Sequence, residues 1–320
     1  MLGVMATRVS HVGSPSLLNQ FLEPRALLEM AALPWSLPLL ASAPRGDGHP
    51  VLLLPGFMAD EGTLIALKLF LQNRGYEVET WGFGRNVGFS SRHATALQQK
   101  IRYMHHKSGR AVSLVGWSLG GLFAVYGAHE VPECIRTVIT LGSPVTFDPA
   151  GSQSPPLIKA LYRLIAHPMG TSAHVHHLRA KNLRGPKALP LPISCIYSLS
   201  DGVVPPQEAT IDGNPALHEN VRVPGSHLGL GFNALALWVV ADRLAQPEGA
   251  WRPFEPSGLT GRLYRVATSG LAEAWHAPAS RPSASAARAR APRTPERHRG
   301  RTARTPRGRA SARGTRSARR

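Results

Sequence analysis

The stretch GWSLGG, Gly116 to Gly121, sets one serine between Trp117 and Leu119 with glycine on either side. A serine hydroxyl is a poor nucleophile until an imidazole takes its proton and a carboxylate orients that imidazole. Downstream, SLSDGVVPP supplies Asp201 and VPGSHLGLG supplies His227, so the order along the chain is serine, acid, histidine. Together Ser118, Asp201 and His227 are the parts of an acyl-transfer relay. Asp148 and Asp212 are rival acids. Asp212 falls in a loop without a strand-end position, and Asp148 precedes an inserted stretch. The plainer readings are an ordinary turn for GWSLGG and a cap on the last helix for His227.

Such a relay makes an oxyanion, which needs amide donors. One expected donor is Leu119, directly after the serine. The other is Phe57, in the loop PGFMAD, where Gly56 lets backbone come close; a plain turn is the alternative there. Met58 and Trp117 stand beside these positions and are expected to bind substrate, with the apolar segment Leu157–Ile165 adding to a greasy site. His174, His176 and His177 form a cluster, AHVHH, but no cysteine or carboxylate accompanies them at ligand spacing. No metal and no cofactor is expected.

Positioning these groups requires strands that end at one rim. PVLLLPGF stops at Pro-Gly and reads as a buried strand; YEVETW, AVSLVGW, IRTVITLGSP, LPISCIYSLSDG and NVRVPGSHLG read as further strands. Between them, DEGTLIALKLFLQNRG, SSRHATALQQKIRYMHHKSG and SLGGLFAVYGAHE have helical spacing and end signals, and NALALWVVADRLAQ is a closing helix. The alternation predicts an α/β fold: a mostly parallel central sheet flanked by helices. In that setting G-x-S-x-G forms a sharp strand-to-helix turn, and Asp201 and His227 each follow a strand on the same edge. The pattern lapses from Val145 to Pro190, apart from one helix over Pro156–Pro168, and reads as an insertion over one end of the sheet.

The 320 residues are 43% hydrophobic, enough for one substantial core. The net charge of +18 is concentrated: residues 281–320 hold 14 arginines, no lysine and one acid, leaving about +5 for the rest. The expected organisation is an N-terminal helical extension over 1–49, one α/β domain over 50–275 with its insertion at 145–190, and a disordered basic tail over 276–320. With no aromatic residue after Trp275, the tail has nothing to stack on a base, and specific nucleic-acid binding is not expected. Cys134 and Cys195 lie in apolar surroundings and read as buried thiols. Leu27–Ala43 is apolar but broken by Pro34 and Pro38, so it reads as a helix packed on the body rather than a span. The absence of a signal-peptide profile and the unpaired thiols point to the cytoplasm, with peripheral membrane contact open.

LLLPGFMAD, LVGWSLGG, YSLSDGVVPP and GSHLGLG together resemble the α/β-hydrolase superfamily, in its bacterial lipase- and esterase-like branch. The resemblance spans roughly Pro50 to Gln246. It implies a Ser-Asp-His triad, a lid at 145–190, and hydrolysis of carboxylic esters or thioesters of apolar acyl groups, the partner being a small ester or lipid. One departure is Pro55, where many relatives have histidine before the oxyanion-loop glycine. Two other readings stand beside hydrolysis: acyl transfer to an alcohol on the same triad, and a non-catalytic body whose basic tail binds nucleic acid or anionic membrane.

Overall fold

The computed structural model describes residues 14–88, 90–146, 153–156, 159 and 189–269. Its centre is a six-stranded sheet: β1 Pro50–Leu54, β2 Glu77–Thr80, β3 Val112–Trp117, β4 Ile135–Leu141, β5 Ile193–Tyr197 and β6 His218–Arg222. All neighbours are parallel, in the order β2-β1-β3-β4-β5-β6. Both faces are covered, which is why β1, β3, β4 and β5 are buried at every residue and read as continuous apolar runs.

Alternation along the strands sends side chains to two cores. Leu52, Leu54, Leu114 and Val138 pack with Leu97, Ile101 and Phe123 on one face; Val51, Leu53, Val115 and Ile139 pack with Leu67, Leu71 and Val239 on the other. The helices carrying those partners follow α1 Leu17–Phe21, α2 Ala26–Ala32 and α3 Leu37–Ala41. They are α4 Ile65–Asn73, α5 Ser91–Ser108, α6 Leu119–Glu130 and α7 Ala234–Leu244. Helix α6 is apolar all round because the sheet and α5 enclose it. Helix α5 starts where Ser90 accepts from the His93 amide and stops at Gly109, whose φ of 66° is left-handed.

The strand order reverses direction at β1. The chain leaves β1 for β2 on one side and returns to β3 on the other, so the loops after β1 and β3 diverge around a crevice at the strands' C-terminal ends. That crevice receives the β1 loop and the turn at Ser118.

Three expectations change. Leu27–Ala43 is not one helix: α2 and α3 are separated by a 3₁₀ turn at Pro34–Ser36, and a second such turn, Glu23–Arg25, precedes α2. Pro24, Pro34 and Pro38 each sit at the start of a short helical piece, where a missing N–H costs nothing. The segment docks through Leu40 and Ala43 against the core that contains α7, while Phe21, Leu27, Leu28 and Trp35 remain exposed. Strand β6 begins at His218, before the expected Asn220. A further helix, α8 Gly258–Ser269, was not read from the sequence; its Tyr264 hydroxyl donates to the Arg222 carbonyl at 2.7 Å. Both cysteines are free and buried. Most of the insertion over 145–190, the helix expected at 156–168, and the tail over 276–320 lie outside the described residues. Among those described, no helix is long and apolar enough to cross a membrane.

Candidate active site

Ser118 sits on the bend between β3 and α6 with φ 54° and ψ −122°. Among the described residues only Met58 and Ser118 carry a positive φ without being glycine, and both border the crevice. The bend is tight enough that a Cβ on Gly120 would lie 2.1 Å from the Leu54 carbonyl oxygen, and one on Gly116 would lie 2.4 Å from Gly120 backbone. Only glycine fits at either position. The Ser118 amide donates to the Leu141 carbonyl at 2.8 Å, pinning the bend to the end of β4.

The hydroxyl meets an imidazole. Ser118 Oγ and His227 Nε2 are 3.0 Å apart, and His227 Nδ1 is 2.7 Å from Asp201 Oδ2. With Nδ1–H donated to the carboxylate, Nε2 is left to accept the serine proton. The second Asp201 oxygen, Oδ1, accepts from the Val203 and Val204 amides at 2.8 and 2.7 Å, which fixes the carboxylate's plane. Burial alone would pull the His227 pKa down. The charge and hydrogen bond of Asp201, with the charge of Glu23, outweigh it and hold the imidazole above its ordinary value. Gly142, at the end of β4, lies beneath this pair: a Cβ there would stand 3.0 Å from Asp201 Oδ2 and 3.1 Å from His227 Nδ1.

Of the rivals, Asp212 is exposed and Asp148 lies outside the described residues. His227 does not cap the closing helix; Asn233 does, accepting from the Leu235 and Ala236 amides at 3.0 and 3.1 Å.

The loop after β1 folds over the serine. A Cβ on Gly56 would come within 3.1 Å of Ser118 Cβ and 3.8 Å of its Oγ, so the loop backbone just before Phe57 lies against the serine. Leu119 is the first residue of α6, so its N–H has no helical carbonyl behind it. Asn86, wholly buried, sets the loop's shape. Its side-chain amide donates to Pro55 O at 2.7 Å, its carbonyl accepts from the Met58 amide at 2.7 Å, and its own amide donates to Ala59 O at 2.8 Å. Nothing in the sequence around Asn86 marks it, because its role depends on a contact across 31 positions.

Met58 is exposed at the rim. Trp117 is not at the rim. Its side chain belongs to the core on the α7 face, its ring meets Phe232 edge-on at 6.2 Å, and its indole N–H donates to the His227 carbonyl at 3.1 Å. The expected substrate contact at Trp117 is thus corrected: the strand's alternation turns this side chain away from the Ser118 hydroxyl and under the histidine loop. His174, His176 and His177 lie outside the described residues.

No protein-family model matches the chain. Over 104 residues it is 32% identical to the pimeloyl-[acyl-carrier protein] methyl ester esterase of Citrobacter koseri, a match covering 32% of this chain and 40% of that protein. The chain thus aligns with less than half the length of that curated relative. Among solved structures it is similar to Aspergillus fumigatus lipase B, with a TM-score of 0.52 and 19% identity over 70% of this chain and 58% of that one. Bacillus licheniformis lipase BlEst2 superposes with a TM-score of 0.46 and 16% identity, covering 64% of this chain and 95% of that one. The sheet order, the all-parallel ladder and the likeness to the fungal lipase agree: the chain has the α/β-hydrolase fold.

Proposed function

We propose that this α/β-hydrolase-fold chain is a serine hydrolase that cleaves carboxylic esters or thioesters of apolar acyl groups through an acyl-enzyme. The observation that carries the reading is the unbroken path from Ser118 Oγ through the His227 imidazole to Asp201, headed by a serine on a strained bend.

Ser118 Oγ attacks the acyl carbonyl while its proton passes to His227 Nε2. The new O–C bond turns the carbonyl oxygen into an oxyanion, which the Phe57 and Leu119 amides receive. As the tetrahedral centre collapses, the ester C–O bond, or the thioester C–S bond, breaks and Nε2 returns the proton to the leaving group. Water then enters, gives its proton to Nε2 and attacks the acyl-serine; collapse releases the acid and restores the hydroxyl. Asp201 stays ionised throughout and stabilises the imidazolium in both steps.

Apolar acyl groups fit the rim. Phe57 packs partly into the core, while Met58 and Leu228, one residue from Gly-flanked Phe57 and from His227 respectively, are exposed. The likeness over 104 residues to a methyl ester esterase supports an ester as the scissile group. The test is a panel of p-nitrophenyl esters from acetate to laurate with the wild type and Ser118→Ala. The reading expects turnover by the wild type alone, with kcat/KM rising along the series; rates that ignore chain length contradict the apolar acyl site, and equal turnover by the variant contradicts the nucleophile.

A further inference from the structure

The N-terminal segment, outside the stretch that resembles α/β-hydrolases, reaches the catalytic rim through a buried acid. Glu23 Oε1 accepts from the Gly202 amide at 2.7 Å and the His227 amide at 2.9 Å, and Oε2 accepts from the Leu228 amide at 2.9 Å. Gly202 follows Asp201 directly, so one carboxylate bridges the acid loop and the histidine loop. The same segment binds both loops elsewhere. The Arg25 guanidinium donates to the Ser200 carbonyl at 2.7 Å, the Asn19 side-chain amide donates to the Leu199 carbonyl at 3.3 Å, and Glu29 Oε1 accepts from the Ser226 amide at 2.8 Å. The fit is close: a Cβ on Gly202 would stand 2.5 Å from the Asn19 carbonyl oxygen, and one on Gly229 would stand 2.1 Å from Glu29 Oε2.

A buried carboxylate costs several kcal/mol of lost hydration unless its oxygens are well bonded. Glu23 is 7% exposed, no cation pairs with it among the described residues, and its partners there are three backbone amides. Short charge-assisted bonds offset that cost. What they fix is the spacing between two loops that otherwise meet through the Asp201–His227 pair and through the Ser198 and Ser200 hydroxyls, which donate to the Gly225 carbonyl at 2.7 and 3.2 Å. The carboxylate also adds a negative charge beside an imidazole that must become cationic during turnover.

We infer that Glu23 is a positioning residue of the triad: its bridge from Gly202 to His227 and Leu228 sets the alignment of Asp201 with His227 and steadies the imidazolium. This rests on the proposed relay. Removing both carboxylate oxygens leaves three loop amides without their acceptor and loosens the bridge, and displacing a reacting group by about 1 Å can cost a hundredfold in rate. Removing only the charge lowers the affinity of His227 for its proton. The charged groups facing His227 are Asp201 from the β5 loop and Glu23, with Glu29 and Arg25 beyond; Arg25 lies 3.6 Å from Glu29 and counters its charge.

The experiment compares wild type, Glu23→Gln, Glu23→Ala and Ser118→Ala on p-nitrophenyl butyrate, with active sites counted by a fluorophosphonate and the His227 titration followed by NMR. Glu23→Ala is expected to lose about 10- to 100-fold in kcat per labelled site with KM within about twofold. Glu23→Gln keeps the shape and one acceptor oxygen, so it loses less, and its His227 midpoint moves to lower pH. Wild-type kcat in folded Glu23→Ala, or loss of thermal stability alone, overturns the inference. If Glu23→Ala does not fold, Glu23→Gln decides: an unmoved His227 midpoint overturns it and a lowered one supports it. Failure of the underlying enzyme reading looks different, since wild type and Ser118→Ala then behave alike while the NMR midpoint still reports on Glu23.

Discussion

Ser113 and Ser118 lie on the same strand and its following turn, and each meets a histidine Nε2: His49 at 2.7 Å and His227 at 3.0 Å. His49 Nδ1 in turn is 2.6 Å from Asp47 Oδ1, so the chain holds two serine–histidine–aspartate paths near opposite ends of β3. Only one meets the requirements of the proposed nucleophile. Ser113 is fully buried, paired in the ladder with Val51 and Thr137, and is not followed by a helix start. Ser118 is partly open, strained and placed at the N-terminus of α6, where developing negative charge is favoured. Relay geometry without access and an oxyanion site is structural.

The first prediction separates the two paths. Ser113→Ala leaves the buried His49 Nε2 without its partner, which costs about 1–3 kcal/mol of stability. Ester turnover at Ser118 should not change. Urea midpoints and p-nitrophenyl butyrate rates on the same preparations check both halves; a loss of kcat equal to that of a triad substitution contradicts the assignment.

The Asp47–His49 path should also make stability depend on pH. Burial, with Arg136 and Arg110 nearby, outweighs the attraction of Asp47 and pulls His49 from 6.5 down to about 4. A depressed folded value means that the unfolded chain binds the proton more readily. Stability is therefore full above pH 6.5 and falls as pH drops toward 4, by roughly 3 kcal/mol from this residue. The carboxyl of Asp47 is held well below the carboxylate range: hydrogen bonds from His49 and Arg136 outweigh its own desolvation, so its loss lies at still lower pH. Urea unfolding between pH 7.5 and 4.5 measures the slope, which His49→Gln should flatten.

Gly142 offers a test of how closely the core supports the acid–base pair. A methyl group there would meet Leu230 Cδ1 at 2.7 Å and press on Asp201 Oδ2 and His227 Nδ1 at 3.0 and 3.1 Å, on a backbone whose φ of 53° already disfavours a side chain. Gly142→Ala is expected to lower kcat by at least about tenfold, because the methyl displaces the pair, while KM changes little. Unchanged kcat in folded protein would show that the loops yield freely.

The rate should follow His227. Its imidazole must be neutral to accept the serine proton, and its pKa is held above the ordinary 6.5 by Asp201 and Glu23 against the pull of burial. The acid limb of kcat/KM should accordingly sit above pH 6.5, with activity rising through it. A limb at or below 6.5 contradicts the electrostatic account of the site.

Much of this was legible in the residues. The central strands announce themselves as apolar runs because both faces of a parallel sheet are covered, and Ser118 and Asp201 each follow such a run, while His227 follows the half-buried edge strand β6. Strand ends alone therefore place them on one rim. Leu119 and Gly56 were readable for the same reason, being fixed relative to β3 and β1. Glu23, Asn86 and the Ser113–His49 path were not, since each depends on contacts between segments far apart in sequence with no local pattern. Trp117 misled because a neighbour in sequence was taken for a neighbour in space, although a strand turns adjacent side chains to opposite faces. The N-terminal segment looked like one helix because its apolar content was weighed above its prolines.

The most direct test of the central claim is covalent. Wild type, Ser118→Ala and Ser113→Ala are treated with an alkyl fluorophosphonate, and intact mass and peptide mapping locate the adduct. The account predicts one adduct per chain on Ser118 in the wild type and Ser113→Ala, and none in Ser118→Ala. An adduct elsewhere, or labelling that survives Ser118→Ala, would contradict it.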